Sequence, residues 1–155
     1  MPNLIWAVVN YYIMKIPRQR AISIGQTMNK YPMIEGIANL LTSIQPRGWQ
    51  KVILYANISK NSYEIFFYTK INGKYKKNFE LERLGYGLTR EKTMKIFDEI
   101  YKLLLPDQRI FKWKVCTFIL NKDGEVSMNY DYDTNFNTFD EENEYKKGWK
   151  EKYLV

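Results

Sequence analysis

Six carboxylates crowd into the stretch from Asp131 to Glu144, with no Lys or Arg among them: Asp131, Asp133, Asp140, Glu141, Glu142 and Glu144. Tyr130, Tyr132, Phe136 and Phe139 are interleaved with them. Carboxylates at such spacing could do acid–base chemistry, hold a cation, or dock on a basic surface. Acid–base work needs neighbouring environments that push two pKa values apart, which a crowded acidic loop does not offer. Asp131-x-Asp133 supplies oxygen ligands, but the glycine and terminal Glu of a calcium-binding loop are missing. Docking fits the residue types better. Carboxylates can occupy the positions of phosphates in a basic cleft, and aromatic rings beside them supply anchor area. The expected contact residues are Tyr130, Asp131, Tyr132, Asp133, Phe139, Asp140, Glu141, Glu142 and Glu144. The competing reading is a solvated segment that offsets a basic body.

The rest of the chain offers little catalytic chemistry. It has no histidine, which removes the commonest general base and metal ligand and every Ser–His or Cys–His pair. Its single cysteine, Cys116, lies in the apolar run Phe111-Lys-Trp-Lys-Val-Cys-Thr-Phe-Ile-Leu120 and reads as a small buried hydrophobe. One cysteine permits no internal disulfide and fits a reducing, cytoplasmic compartment. No phosphate-binding glycine loop and no Gly-x-Ser-x-Gly elbow is present. The expectation is a protein that is not an enzyme and uses no cofactor or metal. The longest apolar stretch, Leu4–Met14, is interrupted by Asn10 and is far short of a membrane span.

The elements that would carry the acidic stretch follow from periodicity and punctuation. Ile34, Ile37, Ala38, Leu41 and Ile44 recur at helical spacing, and Pro46 and Gly48 stop that helix. Trp49–Ile58 alternates as a half-buried strand. Tyr63–Ile71 is a second strand, and Asn72-Gly73 turns it into a third over Lys74–Phe79. Leu84–Leu88, with two glycines, reads as a loop. Thr89 caps a helix from Arg90 to Leu105, whose apolar face is Met94, Phe97, Ile100, Tyr101 and Leu104, and Pro106 is expected to end it. Trp113–Leu120 and Val126–Tyr132 flank the Asp123-Gly124 turn as a hairpin. A polar loop leads to a short helix or irregular tail holding Trp149 and Tyr153. These elements predict a single α+β domain over residues 31–155. Its antiparallel sheet has about five strands, a three-strand meander plus a hairpin, packed against two main helices on one face. Residues 1–30 stand apart as an extension, or as a strand or helix docked on the domain.

Charge is divided along the chain. Residues 1–122 hold 20 Lys and Arg against 8 Asp and Glu, whereas residues 123–155 hold 4 against 9. The overall +7 and pI near 9.3 make a basic nucleic-acid-binding domain the alternative function. Lys74, Lys76 and Lys77 on one strand, and Lys112, Lys114 and Lys122 around another, would serve it. Exposed lysines also blunt sheet edges, and no helix-turn-helix, RNP, KH or zinc-finger motif is present.

Several features together resemble the YezG-like family of bacterial immunity proteins. They are the amphipathic opening helix, Pro46-Arg-Gly-Trp49-Gln-Lys-Val, Tyr63-Glu-Ile-Phe-Phe-Tyr68, Trp113, the Asp123-Gly124 turn with Val-Ser-Met-Asn-Tyr-Asp-Tyr-Asp133, and Trp149-Lys-Glu-Lys-Tyr-Leu154. The resemblance runs from about Glu35 to Val155. It implies a cytoplasmic antitoxin that binds a cognate toxin domain, commonly a nuclease, and occludes its active site or substrate cleft. Such antitoxins are often acidic overall, unlike this chain. Either the acidic stretch supplies a local match, or the toxin is acidic and meets the basic sheet.

Overall fold

The computed structural model describes residues 11–15, 30–133 and 136–155. Of the expected N-terminal extension, the remainder lies outside the described residues. In chain order the elements are β1 (Tyr11–Lys15), α1 (Tyr31–Ser43), β2 (Trp49–Ile58), β3 (Tyr63–Ile71), β4 (Lys74–Lys77), α2 (Asn78–Arg83), α3 (Arg90–Phe111), β5 (Val115–Asn121), β6 (Glu125–Asp131) and α4 (Phe139–Tyr153). The strands form one antiparallel sheet in the order β1-β6-β5-β2-β3-β4. The meander and the hairpin are as the alternation predicts, and they meet through β2 and β5. The sixth strand, β1, adds to the outer side of β6, with Ile13 opposite Ser127.

Residue alternation decides which helix meets which face. Val52, Leu54, Ala56 and Ile58 of β2 face the same way as Phe67, Cys116, Phe118 and Met128, and all are buried. Helices α1 and α3 cover this face with Ile34, Ile37, Leu41, Phe97, Ile100 and Leu104. The two helices approach closely at Gly36, where a Cβ would lie 2.9 Å from Leu103 Cδ1. The other β2 parity, Ile53 and Tyr55, is also buried, because α4 lies across it and packs Trp149 against Tyr55, Phe66 and Val115. The expected two layers are therefore three. A strand buried on both faces reads as a near-continuous apolar run, and β2 does so from Val52 to Ala56.

Two boundaries and one helix face differ from expectation. The strand expected to reach Phe79 stops at Lys77, where α2 begins, because Glu80 Oε1 accepts the Lys77 backbone N–H at 2.8 Å and closes a helical turn. The buried face of α3 includes Thr93 and Ile96, and Met94 is exposed instead. Pro106 does not end α3, which continues to Phe111 and closes with Lys112 in the left-handed conformation. A helix-interior proline costs about 3 kcal/mol. The last turn is held in compensation by a polar network that no local pattern displays. Asp107 is buried one residue beyond the proline and accepts Trp113 Nε1–H at 2.9 Å and Lys30 Nζ at 3.2 Å. Lys30 also donates to Tyr130 Oη at 3.0 Å and sits 4.1 Å from the Phe111 ring centroid. Gln108 Nε2 donates to the Trp113 carbonyl.

Removing one partner of a buried, hydrogen-bonded ion pair leaves the other charge uncompensated. Asp107→Ala is expected to lower the unfolding free energy by about 3–5 kcal/mol, measured by urea denaturation. A loss of under about 1 kcal/mol, the range of an exposed ion pair, would show that the network does not hold this end of α3.

Candidate functional site

The acidic stretch occupies two elements and the turn between them. Asp131 is the last residue of β6, opposite Val115. Its Oδ2 accepts the Tyr145 hydroxyl at 2.9 Å, and its Oδ1 accepts the Asp133 N–H at 3.3 Å. The bond from Tyr145 ties the end of the sheet to the second turn of α4. Asp140, Glu141 and Glu142 lie in the first turn of α4, where carboxylates face the positive end of the helix dipole, and Lys150 and Lys152 lie in its last turn. Thr138 caps the helix. Its Oγ1 accepts the Glu141 N–H at 3.1 Å, while Glu141 Oε1 accepts the Thr138 N–H at 3.0 Å. This capping box turns the expected short helix or tail into a 15-residue helix.

The nine expected contact residues therefore divide. Asp133, Phe139, Asp140, Glu141 and Glu144 are exposed, with Phe139 at 75%. Asp131, Tyr132 and Glu142 are half-buried. Glu142 pairs with Lys146 at 3.4 Å, and Lys146 reaches across to Glu64 of β3 at 2.6 Å. Tyr130 is 3% exposed and belongs to the core, its ring stacked 5.6 Å from that of Trp113. Its place in the β6 alternation turns it inward, away from the surface that its neighbours share.

Beneath α4 lies an aromatic layer. Tyr55 stacks on Phe66 at 4.5 Å between ring centroids, and Trp149 meets both edge-on at 5.3 and 5.6 Å. Trp149 Nε1 donates to Thr117 Oγ1 at 2.8 Å. Between α4 and the β5–β6 side of the sheet a groove of about 430 Å³ remains, lined by Asn129, Asp131, Glu144, Tyr145, Gly148 and Tyr153 among others. On the opposite flank of α4, the Lys77 ammonium lies 4.3 Å from the Phe66 ring centroid. Burial, followed by the charge of Lys146, lowers its pKa. Cys116 is fully buried, and burial raises its thiol pKa far above the usual range. Among the described residues no His, Cys, Asp and Glu cluster could hold a metal ion, and no helix is long and apolar enough to cross a membrane.

The acidic residues, the capped helix and the groove thus lie together on one side of the sheet. The model of the YezG-like immunity proteins matches residues 31–155. The chain belongs to this family. Immunity protein YezG of Bacillus spizizenii is 27% identical over 115 residues, covering 65% of this chain and 67% of that protein. The type VII secretion system protein EsaG of Staphylococcus aureus is 29% identical over 106 residues, covering 62% of this chain and 63% of its own length. The family match begins at the first residue of α1 and ends with the chain, so it takes in α4, the groove and the acidic stretch.

Tyrosines on both faces of the sheet, Tyr55 and Tyr145 at α4 and Tyr63 against α3, make the fold sensitive to alkali. Burial raises Tyr55 and Tyr145, the latter aided by its bond to Asp131, and burial pushes Tyr63 up to about 12. Each ionises in the unfolded chain at its ordinary value, about 10, before it does so in the native state. The unfolded state then binds fewer protons, so stability is intact below about pH 10 and falls as pH rises through the native values. Absorbance at 295 nm is expected to show late-titrating tyrosines whose ionisation coincides with loss of tertiary circular dichroism. Free titration of every tyrosine near pH 10 in a folded protein would contradict the packing described.

Proposed function

We propose that this chain is an antitoxin that binds a cognate toxin domain, a nuclease in the most specific form of the reading, and blocks its active site or substrate cleft without turnover. Membership of an immunity-protein family supports the class. The observation that carries the mode of action is the exposed acidic surface around the start of α4, with Asp133, Phe139, Asp140 and Glu144 in the open and Asp131 and Glu142 at its base. A nuclease cleft is shaped and charged for a phosphate backbone. Carboxylates held on a capped helix present negative charge to such a cleft at fixed spacing, and Phe139 offers the apolar anchor that interfaces concentrate near their centre. The family's non-catalytic character, the absence of histidine and the buried cysteine all favour inhibition by occlusion.

Co-expression with candidate toxin domains from adjacent reading frames tests the class. Rescue of growth and co-purification as a stoichiometric complex are expected, and failure of both would sink the proposal. The docking surface is tested separately by a combined variant, Asp131→Asn, Asp133→Asn, Glu141→Gln and Glu142→Gln. Gln at position 141 keeps the capping geometry, so the fold should persist. Association is expected to slow by about tenfold or more at low ionic strength, with a flatter salt dependence. An unchanged rate would return the stretch to a role in capping α4.

The basic edge supports a second reading, nucleic-acid binding, because Lys77 lies close enough to Lys146 and Lys150 for each to lower its pKa. That reading requires binding to DNA or RNA that weakens steeply with salt. No binding at low ionic strength would remove it.

A further inference from the structure

Gly148 has no structural reason to be glycine. The other described glycines either take a positive φ or, at Gly36, stand where a Cβ would collide with Leu103. Gly148 is in the middle of α4, where glycine is the least favourable residue apart from proline, and a Cβ there would meet nothing within 4 Å. What its missing side chain does is leave open the groove between α4 and the β5–β6 side of the sheet, which it lines.

The walls of that groove are fixed before anything enters it. Tyr145 is held at its hydroxyl by Asp131, and Tyr153 by Asn129, whose Nδ2 donates to Tyr153 Oη at 2.6 Å. Trp149 is pinned by its bond to Thr117. Glu144 stands on the rim with no ion pair among the described residues, one helical turn before Gly148. Two carboxylates and two tyrosine rings around one opening suit a planar cation. A guanidinium can donate parallel hydrogen bonds to carboxylates while its flat face lies on an aromatic ring. Lys152 also lines the groove, but its ammonium lies 5.2 Å from the Tyr153 ring centroid and leaves the carboxylates in excess. At about 430 Å³ the opening is at the small end of ligand-sized sites, suited to one long side chain and not to a strand or helix.

We propose that this groove is the specificity pocket of the antitoxin surface and receives an arginine side chain of the toxin partner, with Gly148 as the residue that keeps it open. The proposal rests on the antitoxin reading for the owner of the arginine, but not for the chemistry of the pocket.

Two arms separate these. In the first, N-acetyl-arginine amide is titrated into the full chain and followed by amide chemical shifts at Asn129, Tyr145 and Gly148, with the uncharged isostere N-acetyl-citrulline amide as control. Binding on the order of 1 mM is expected for a ligand of this size. It should be lost in Glu144→Gln with Asp131→Asn and in Gly148→Leu. Leu is a better helix former than Gly, so Gly148→Leu should stay folded, with an unchanged or raised Tm. No shifts at tens of millimolar, equal shifts with citrulline, or undiminished binding by Gly148→Leu would overturn the pocket. In the second arm, affinity for the toxin domain found by co-expression is compared across Gly148→Ala and Gly148→Leu. A loss of about tenfold or more in the Leu variant, with little in the Ala variant, is expected for a filled hot-spot pocket. Equal affinity of Gly148→Leu and the parent would show that no toxin side chain enters the groove, even if the antitoxin reading holds. Absence of any toxin binding would sink the antitoxin reading and the toxin's claim on the pocket, whereas the first arm alone decides the pocket's chemistry.

Discussion

The indole of Trp149 decides the character of this domain. An antiparallel sheet can leave one face to water, and here the first face is already filled by α1 and α3. Were α4 absent, Tyr55, Phe66, Ile53 and Val115 would form an exposed apolar surface at the middle of the sheet. Trp149 prevents this by standing edge-on to Tyr55 and Phe66 while passing its N–H to Thr117. Offset and edge-to-face aromatic pairs add about 0.5–1.5 kcal/mol each beyond the area they bury. The contact is also directional, so it sets the angle of α4 across the strands. Everything proposed about function depends on that angle. It brings Tyr145 to Asp131, holds Lys146 between Glu64 and Glu142, and leaves the groove beside β5 and β6.

A second constraint operates at the opposite layer. Lys30 and Asp107 are 6% and 5% exposed at their side chains, and such a pair gives little net stability over well-packed apolar residues. Its effect is better understood as geometric. Asp107 accepts from both Lys30 and Trp113, and Lys30 reaches Tyr130, so one carboxylate joins the start of α1, the end of α3, the entry to β5 and the end of β6. Burial lowers the Lys30 pKa, while Asp107 opposes that shift. The strand carrying the acidic stretch is thereby registered from below by Tyr130 and from above by Asp131. Two successive residues of β6, with opposite facing, belong to two different layers.

Much of this was legible because it is local. The meander and hairpin follow from alternation and from Asn72-Gly73 and Asp123-Gly124, and the core face of α1 follows from its 3.6-residue period. What was not legible required partners distant in sequence. The third layer depends on Trp149, with Tyr145 and Tyr153 beside it, in a helix whose charged residues mask its apolar side. The passage of α3 through Pro106 depends on Lys30, which is 77 residues from Asp107. Helix α2 hides behind three lysines that read as strand, and only the Glu80 cap marks it. Within the acidic stretch, alternation carried the one signal that could have removed Tyr130 from the surface. It is two residues from Met128 and four from Val126, both core residues of the same strand. Gly148 carried a signal as well, as an unforced glycine inside a helix.

The contrast between a +7 chain and the acidic docking surface proposed for it resolves once charge is placed in space. At physiological ionic strength the field of an exposed charge is screened over about 8 Å. A partner at contact therefore meets a local pattern and not a total. Helix α4 itself is polarised, with Asp140, Glu141, Glu142 and Glu144 in its first half and Lys146, Lys147, Lys150 and Lys152 in its second. Part of that arrangement serves the helix, since carboxylates at its start and ammonium groups at its end both oppose the dipole. Helix stability would be served as well by carboxylates spread around the first turn with aliphatic neighbours. It does not require Glu144 on the rim of a groove, Tyr145 and Tyr153 pinned on either side, or a glycine between them. Those features concern something outside the helix, and they lie where local negative charge and fixed aromatic rings coincide.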